Sequence, residues 1–167
     1  IDQGTTGSTV MIVDSDNFRI VAKENTEFKQ ILPGPGIVEH NLNDIWSSIN
    51  SSMKVCFSKS NINPSDVLGI GITNQRETVC AFDKNCHPIE NAIVWQDRRT
   101  SDYCESLKSR GLESKIKETT GLTIDPYFSA SKISWLIQNS EKVKKSLEDK
   151  NCLFGNIDTY ILMRLTG

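Results

Sequence analysis

The chain has 167 residues and a formal net charge of −2, with 19 basic against 21 acidic side chains. That length allows one domain with a substantial core, and the near-balanced charge gives no sign of nucleic acid or an anionic membrane as the main partner. No apolar run is long enough to insert into a membrane. The five cysteines, Cys56, Cys80, Cys86, Cys104 and Cys152, show no Cys-x-x-Cys and no metal-type spacing to His40 or His87. They read as reduced thiols rather than a disulfide framework.

In chain order, Ile1-Asp2 reads as the tail of a strand, and a strand that delivers Asp2 to a site needs apolar residues ahead of it. The expectation is therefore a piece of a longer protein. Gly4-Thr5-Thr6-Gly7 reads as a turn with two residues able to take positive φ. Thr9–Val13 and Arg19–Lys23 are strands joined by a turn at Asp14–Asn17. Pro33-Gly34-Pro35-Gly36 is a loop. Asn43 or Asp44 caps a helix of about four turns whose face is Ile45, Trp46, Ile49, Met53, Cys56 and Phe57. Val67–Ile72 is apolar and β-branched with two glycines, so it reads as a buried strand of a parallel or mixed sheet.

Strands are also expected at Thr78–Asp83, Ala92–Trp95 and Cys152–Gly155. Helices are expected at Ser101–Arg110, with Tyr103, Cys104 and Leu107 inward, at Leu112–Thr120 ending on Gly121, and at Ser131–Asn139 with Ile133, Leu136 and Ile137 on one face. A charged helix over Glu141–Lys150 and a last helix capped by Asp158 complete the set. The order implies an α/β fold with a mixed sheet and an antiparallel N-terminal meander, flanked by helices.

Two stretches carry chemistry. Asp2 followed by Gly4-Thr5-Thr6-Gly7-Ser8 suits the phosphates of a nucleotide: glycines let backbone N–H groups approach, the hydroxyls add donors, and Asp2 offers a hard oxygen to Mg²⁺. No P-loop pattern occurs anywhere. The buried strand then breaks into Asn74-Gln75-Arg76-Glu77 without an apolar residue, placing polar groups at the end of a sheet, where ligands bind in open α/β folds. A neighbouring Arg and Glu can grip two hydroxyls of a small polyol, provided the chain turns there, because strand side chains alternate. Residues 2–8 and 74–77 are expected to lie at polar ends of the same sheet and to open onto a shared hollow. Each feature alone has a plainer reading: a capped hairpin, a surface ion pair at Arg76 and Glu77, a core Trp95, a turn pinned by Tyr127, a packing role for His40, a cap at Asp97.

Taken together the stretches resemble the FGGY carbohydrate kinase family. The matching residues are Asp2-Gln3-Gly4-Thr5-Thr6, Pro35 to His40, Gly71 to Thr78, Asn91 to Thr100, Thr120-Gly121-Leu122, Ile124 to Ser129, Asp158-Thr159-Tyr160 and Leu165-Thr166-Gly167. Within the family the likeness is to members that phosphorylate glycerol. The resemblance implies an actin-like, ribonuclease-H-like ATPase fold. It implies that residues 1–167 are part of the N-terminal domain, with a C-terminal nucleotide-binding domain and the catalytic base outside this chain. ATP and Mg²⁺ are the implied cofactors, glycerol the substrate, and a cytoplasmic homo-oligomer the implied full-length protein. Residue by residue, it carries Thr5, Thr6, Gly7 and Ser8 onto ATP phosphate contacts and Asp2 onto Mg²⁺. It carries Arg76, Glu77 and Tyr127 onto the glycerol hydroxyls and Trp95 onto the carbon face of glycerol. Gly7 stands where members often have Ser, Thr9 where they have a basic residue, and Ile37 where they have Trp. The rival readings are a sister FGGY kinase for a ketose or sugar acid, and a non-catalytic actin-like ATP-binding module.

Overall fold

A computed structural model describes residues 1–167. Its nine strands are β1 (Asp2–Gln3), β2 (Gly7–Val13), β3 (Ile20–Glu27), β4 (Ile31–Gly34), β5 (Ile37–His40), β6 (Thr73–Asn74), β7 (Val79–Phe82), β8 (Ala92–Ile93) and β9 (Leu153–Asn156). The helices are α1 (Leu42–Ser60), α2 (Ser101–Ser109), α3 (Glu113–Thr120), α4 (Ser129–Asn139), α5 (Glu141–Glu148) and α6 (Ile157–Thr166). They form two compact units, one from residues 1–30 and 41–75, the other from 31–40 and 76–167.

The first unit is a four-stranded sheet in the order β3-β2-β1-β6, antiparallel except for the parallel β1/β6 pair, with α1 against it. The β2–β3 turn forms because the Asp14 carboxylate accepts the backbone N–H of Asp16 at 2.9 Å and Phe18 takes a left-handed φ of 57°. Helix α1 starts two residues before the expected cap: Asn41 Oδ1 accepts the N–H of Asn43 at 2.8 Å. Its Ile45 and Ile49 are fully buried, as the apolar spacing requires, but a second stripe at Ser48, Ser52 and Cys56 is buried as well. Ser52 donates to Ser8 O at 3.0 Å and the Cys56 thiol to Val10 O at 3.2 Å. Small side chains at this i, i+4 spacing let the helix come close to β2 and hold it by its carbonyls.

The expected buried strand at Val67–Ile72 is not formed. Only Thr73–Asn74 pairs as β6; Leu68 is 87% and Ile70 55% exposed. Thr73 N–H donates to Ile1 O, pairing β6 with the first residues of the sequence, and residues 67–70 precede this pair. They line one side of a cavity of about 870 Å³ whose opposite wall is β2.

The second unit carries an all-antiparallel sheet in the order β4-β5-β8-β7-β9. The expected single mixed sheet is therefore two sheets, of which only the first is mixed. The Pro-Gly segment at 33–36, read as a loop, is a β4–β5 hairpin: Pro33 sits on the edge strand, where a missing N–H costs nothing, and Gly36 turns the chain at φ 71°. Every residue of β7 is buried, because Val79 and Ala81 pack with Leu136 of α4 and Val143 of α5, while the Phe82 ring meets the edge of Tyr160 on α6 at 5.5 Å. Asn156, not Asp158, is the cap position of α6. His40 is fully buried in β5, and burial lowers its pKa to about 4, so it packs as a neutral ring.

Candidate functional site

In the first unit β1 and β6 run parallel, with Gln3 opposite Asn74, so both strands end on the same edge; Arg76 and Glu77, expected at that same edge, belong to the second unit. The turn after β1 is closed by Gly4 N–H donating to Gly7 O at 2.9 Å. Neither glycine takes positive φ; their value is space. A Cβ on Gly4 would lie 3.2 Å from Gly7 O, and one on Gly7 would lie 3.0 Å from Thr26 O and from Asn25 Oδ1. Asp2 and Thr6 are exposed and Thr5 is half-buried. The carbonyls of Thr5 and Thr6 are fixed by Gln30 Nε2 and by Phe28 N–H.

Two of the expected phosphate contacts lie inside instead. Gly7 is buried in β2, and Ser8 is fully buried with its hydroxyl 2.8 Å from Ser48 Oγ. The Ser8 side chain ties β2 to α1. Below the turn lies an amide pair that the motif reading passed over: Gln75 Nε2 donates to Gln3 Oε1 at 3.0 Å, and Gln3 Nε2 donates to Gly4 O at 2.7 Å. These buried amides fix where the turn leaves the sheet. Beside them Asn74 Nδ2 is buried without a hydrogen-bond partner, a donor suited to an acceptor from outside the protein. No group of three or more His, Cys, Asp or Glu gathers to hold a metal. A single exposed Asp2 nevertheless fits Mg²⁺, which keeps waters and takes phosphate oxygens alongside one or two carboxylates.

The second unit assembles the other expected residues. Glu77 has φ 65°, an uncommon left-handed conformation for a residue with a Cβ, and supplies the turn that an adjacent Arg and Glu require. Its carboxylate Oε2 accepts both the N–H of Ser129 at 2.9 Å and the Ser129 hydroxyl at 2.6 Å. The negative charge thus sits at the N-terminus of the 11-residue helix α4, where the helix dipole favours it. Asn156 Nδ2 donates to Ser129 Oγ and to Thr78 O, and Thr78 Oγ1 accepts the N–H of Trp95 at 3.2 Å. Trp95 and Tyr127, far apart in sequence, meet edge to face with centroids 5.9 Å apart. Both rings are half-buried, so the pair forms a partly open apolar wall. Arg76 is exposed and makes no hydrogen bond or ion pair with the protein.

This cluster stands on a buried charge network. Asp97, whose side chain is 0% exposed, accepts from Val38 N–H at 2.7 Å and from the N–H and Nε of Arg99 at 2.9 Å each. Arg99 also bonds Glu39 at 2.7 Å and lies 4.6 Å over the Trp135 ring. Asp97 is thus the anchor of the segment that follows Trp95, not a helix cap. Arg98 is exposed and pairs with Asp125 at 3.1 Å, a contact of little energetic weight.

The sequence profile of the N-terminal domain of the FGGY family of carbohydrate kinases matches residues 1–167. This chain belongs to the FGGY carbohydrate kinase family. It is 49% identical over 166 residues to a glycerol kinase of Thermoanaerobacter sp. (strain X514), covering 99% of this chain and 33% of that protein. It is 45% identical over 168 residues to a glycerol kinase of Bacillus subtilis (strain 168), covering 100% of this chain and 34% of that protein. The FGGY chain thus spans about a third of the length of the curated relatives it matches. Among solved structures it superposes on the Plasmodium falciparum glycerol kinase with ADP at TM-score 0.86 and 34% identity, over 99% of this chain and 33% of that one. A ligand-bound xylulose kinase from Lactobacillus acidophilus matches at TM-score 0.83 and 21% identity, over 98% and 32%, a likeness of fold alone. The fold is the actin-like ATPase fold of FGGY kinases.

One side chain bears on both Gly7 and Thr9 in this FGGY domain. The Asn25 amide lies over Gly7 and donates to Thr9 Oγ1 at 2.9 Å, occupying the space and the partner that other side chains would use. Gly7→Ser is expected to lower stability by about 1–3 kcal/mol through overpacking. Adding Asn25→Ala should recover part of that loss, the remainder coming from the fixed Thr26 carbonyl. Denaturant midpoints of the two single variants and the double variant test the coupling; additive losses would show that Asn25 does not govern the site.

Proposed function

We propose that the protein carrying this chain is a glycerol kinase, transferring the γ-phosphoryl group of ATP to a terminal hydroxyl of glycerol to give sn-glycerol 3-phosphate. The observation that carries this is the cluster in the second unit. Glu77 is held on the first turn of α4, beside the Trp95–Tyr127 wall and directly after an unpartnered Arg76. Such a site offers an acceptor, several N–H donors and an apolar face, the complement of a three-carbon polyol. Both Ser129 bonds fall on Glu77 Oε2, so Oε1 is the oxygen that takes a glycerol hydroxyl proton donor. Arg76 donates to the neighbouring hydroxyls, and the two rings exclude water from the carbon face.

The Thr5-Thr6 turn would hold ATP phosphates and Asp2 would hold Mg²⁺, which when bound would supply positive charge against that developing on the transferring group. Gly7 contributes through its lack of a side chain rather than by reaching out. Residues 1–167 supply substrate and phosphate positioning; the catalytic base and the adenine site belong to a C-terminal domain outside this chain. The names of the relatives support glycerol over a ketose or sugar acid.

The test is acceptor-dependent ADP release by the full-length protein with glycerol, xylulose, gluconate and no acceptor. Glycerol is expected to give the highest kcat/KM. A higher value with a sugar transfers the reading to a sister kinase, and nucleotide binding without polyol-dependent ADP release makes the protein a nucleotide-switched module.

A further inference from the structure

Lys132 on α4 is fully buried, yet nothing in the glycerol site described above uses it. Its Nζ donates to Pro126 O at 2.6 Å and Tyr127 O at 2.6 Å, and reaches Phe128 O at 3.5 Å. A charge taken out of water is tolerated only when its hydrogen-bonding capacity is met, and three carbonyls match the three N–H groups of an ammonium. Those carbonyls belong to consecutive residues. The segment they form presents the Tyr127 ring to Trp95 and runs straight into Ser129, whose N–H and hydroxyl hold Glu77. A second brace acts on the same segment: Asp125 Oδ1 accepts the N–H of Tyr127 at 2.8 Å.

We infer that Lys132 is a positioning residue for the polyol site, its ammonium gathering the 126–128 carbonyls so that the aromatic wall and the Glu77 carboxylate keep one fixed geometry. The inference rests on the glycerol reading. Lys132 touches no substrate; it acts through Tyr127 and Ser129. Its reach explains why a cation, and not an apolar side chain of similar length, stands at this buried position: an apolar chain would fill the space and leave the carbonyls without donors.

The same arrangement gives the site a pH dependence. Burial lowers Lys132 to about 8, against the opposing pull of Glu77, Asp97, Asp125 and Cys104 around it. Above that pH the ammonium becomes an amine and loses one N–H, so one carbonyl is released. The charged, fully bonded state holds below pH 8 and is lost as the pH rises through it.

The test uses the full-length protein with Lys132→Met and, separately, Arg76→Ala. Lys132→Met is expected to raise the glycerol KM by about tenfold or more while the ATP KM stays within about twofold, since misplacement of a binding group affects the ligand it faces. In the unsubstituted protein the glycerol KM should rise as the pH passes about 8, and Lys132→Met should abolish that rise. A folded Lys132→Met with unchanged glycerol KM, or with both KM values raised alike, overturns the inference. If that variant does not fold, the unsubstituted protein decides: a glycerol KM flat from about pH 7 to 9 overturns it, and a rise confined to glycerol supports it. Loss of glycerol affinity in Arg76→Ala with none in Lys132→Met removes only the role of Lys132. Normal glycerol kinetics in Arg76→Ala removes the glycerol reading itself and this inference with it.

Discussion

Arg76→Ala in the full-length protein is expected to lower kcat/KM for glycerol by roughly 30- to 1000-fold, corresponding to about 2–4 kcal/mol of lost transition-state stabilisation. The size follows from the state of the side chain. Arg76 makes no bond to the protein and is exposed, so removing it leaves no buried group unsatisfied and no cavity. Stability should change by no more than about 0.5 kcal/mol. All of the effect should therefore appear in function, and mainly in the glycerol term, with the ATP KM almost unchanged. Arg76→Lys should recover little, because a single ammonium cannot reproduce the planar fork that spans two adjacent hydroxyls. Steady-state kinetics in both substrates, with a thermal melt as control, separate the outcomes. Unchanged glycerol kinetics would mean that Arg76 is an ordinary surface residue.

The turn that aims Arg76 was legible because two side chains from adjacent strand positions cannot face the same way, and Glu77 at φ 65° supplies the reversal. The Gly4–Gly7 turn was legible as a turn, but a capped hairpin has the same local pattern, so a phosphate role came from the resemblance rather than from the residues. The meeting of Trp95 with Tyr127 came from resemblance alone, since no local pattern links positions so far apart.

What could not be read were polar residues whose partners are backbone groups from distant segments. Lys132 sits beside the apolar positions of α4, and only the carbonyls of residues 126–128 give it a reason to be buried. In the same helix Ile137, expected on one face with Ile133 and Leu136, is 40% exposed while Leu136 is buried. Ser8 read as a phosphate donor because hydroxyls near glycines invite that reading; Ser48, one stripe over on α1, removes it. Gln3 and Gln75 are unremarkable in sequence and become a buried amide pair once β1 and β6 lie parallel. Of the strand expected at 67–72 only the following Thr73–Asn74 pairs: apolar β-branched residues mark a segment that fits a sheet, but burial requires a neighbouring strand.

The largest expected stability loss is at Asp97, and it bears on the proposed glycerol site. Its carboxylate, fully buried, receives two backbone N–H groups, those of Val38 and Arg99, and the Arg99 guanidinium. Asp97→Ala leaves those donors without acceptors and a cation with only Glu39 and the Trp135 ring beside it, in a place where the Arg99 side chain is 8% exposed. Breaking one side of a buried pair costs about 3–5 kcal/mol, far more than the pair's net contribution to folding. For a domain of this size that corresponds to roughly 6–20 °C in Tm. Arg98→Ala, next in sequence but exposed and loosely paired with Asp125, should cost less than about 1 kcal/mol. Asp97→Asn should fall between them, because its amide oxygen can still accept from one N–H while its NH2 faces the guanidinium. The functional consequence follows from the connection. Asp97 fixes the chain two residues after Trp95, so a variant that remains folded at low temperature should also lose glycerol affinity, and more so than Arg98→Ala. Thermal melts of the three variants, paired with glycerol KM below the lowest Tm, provide the measurement. Equal melting temperatures for Asp97→Ala and Arg98→Ala would mean that the Asp97–Arg99–Glu39 network does not hold the wall of the site in place.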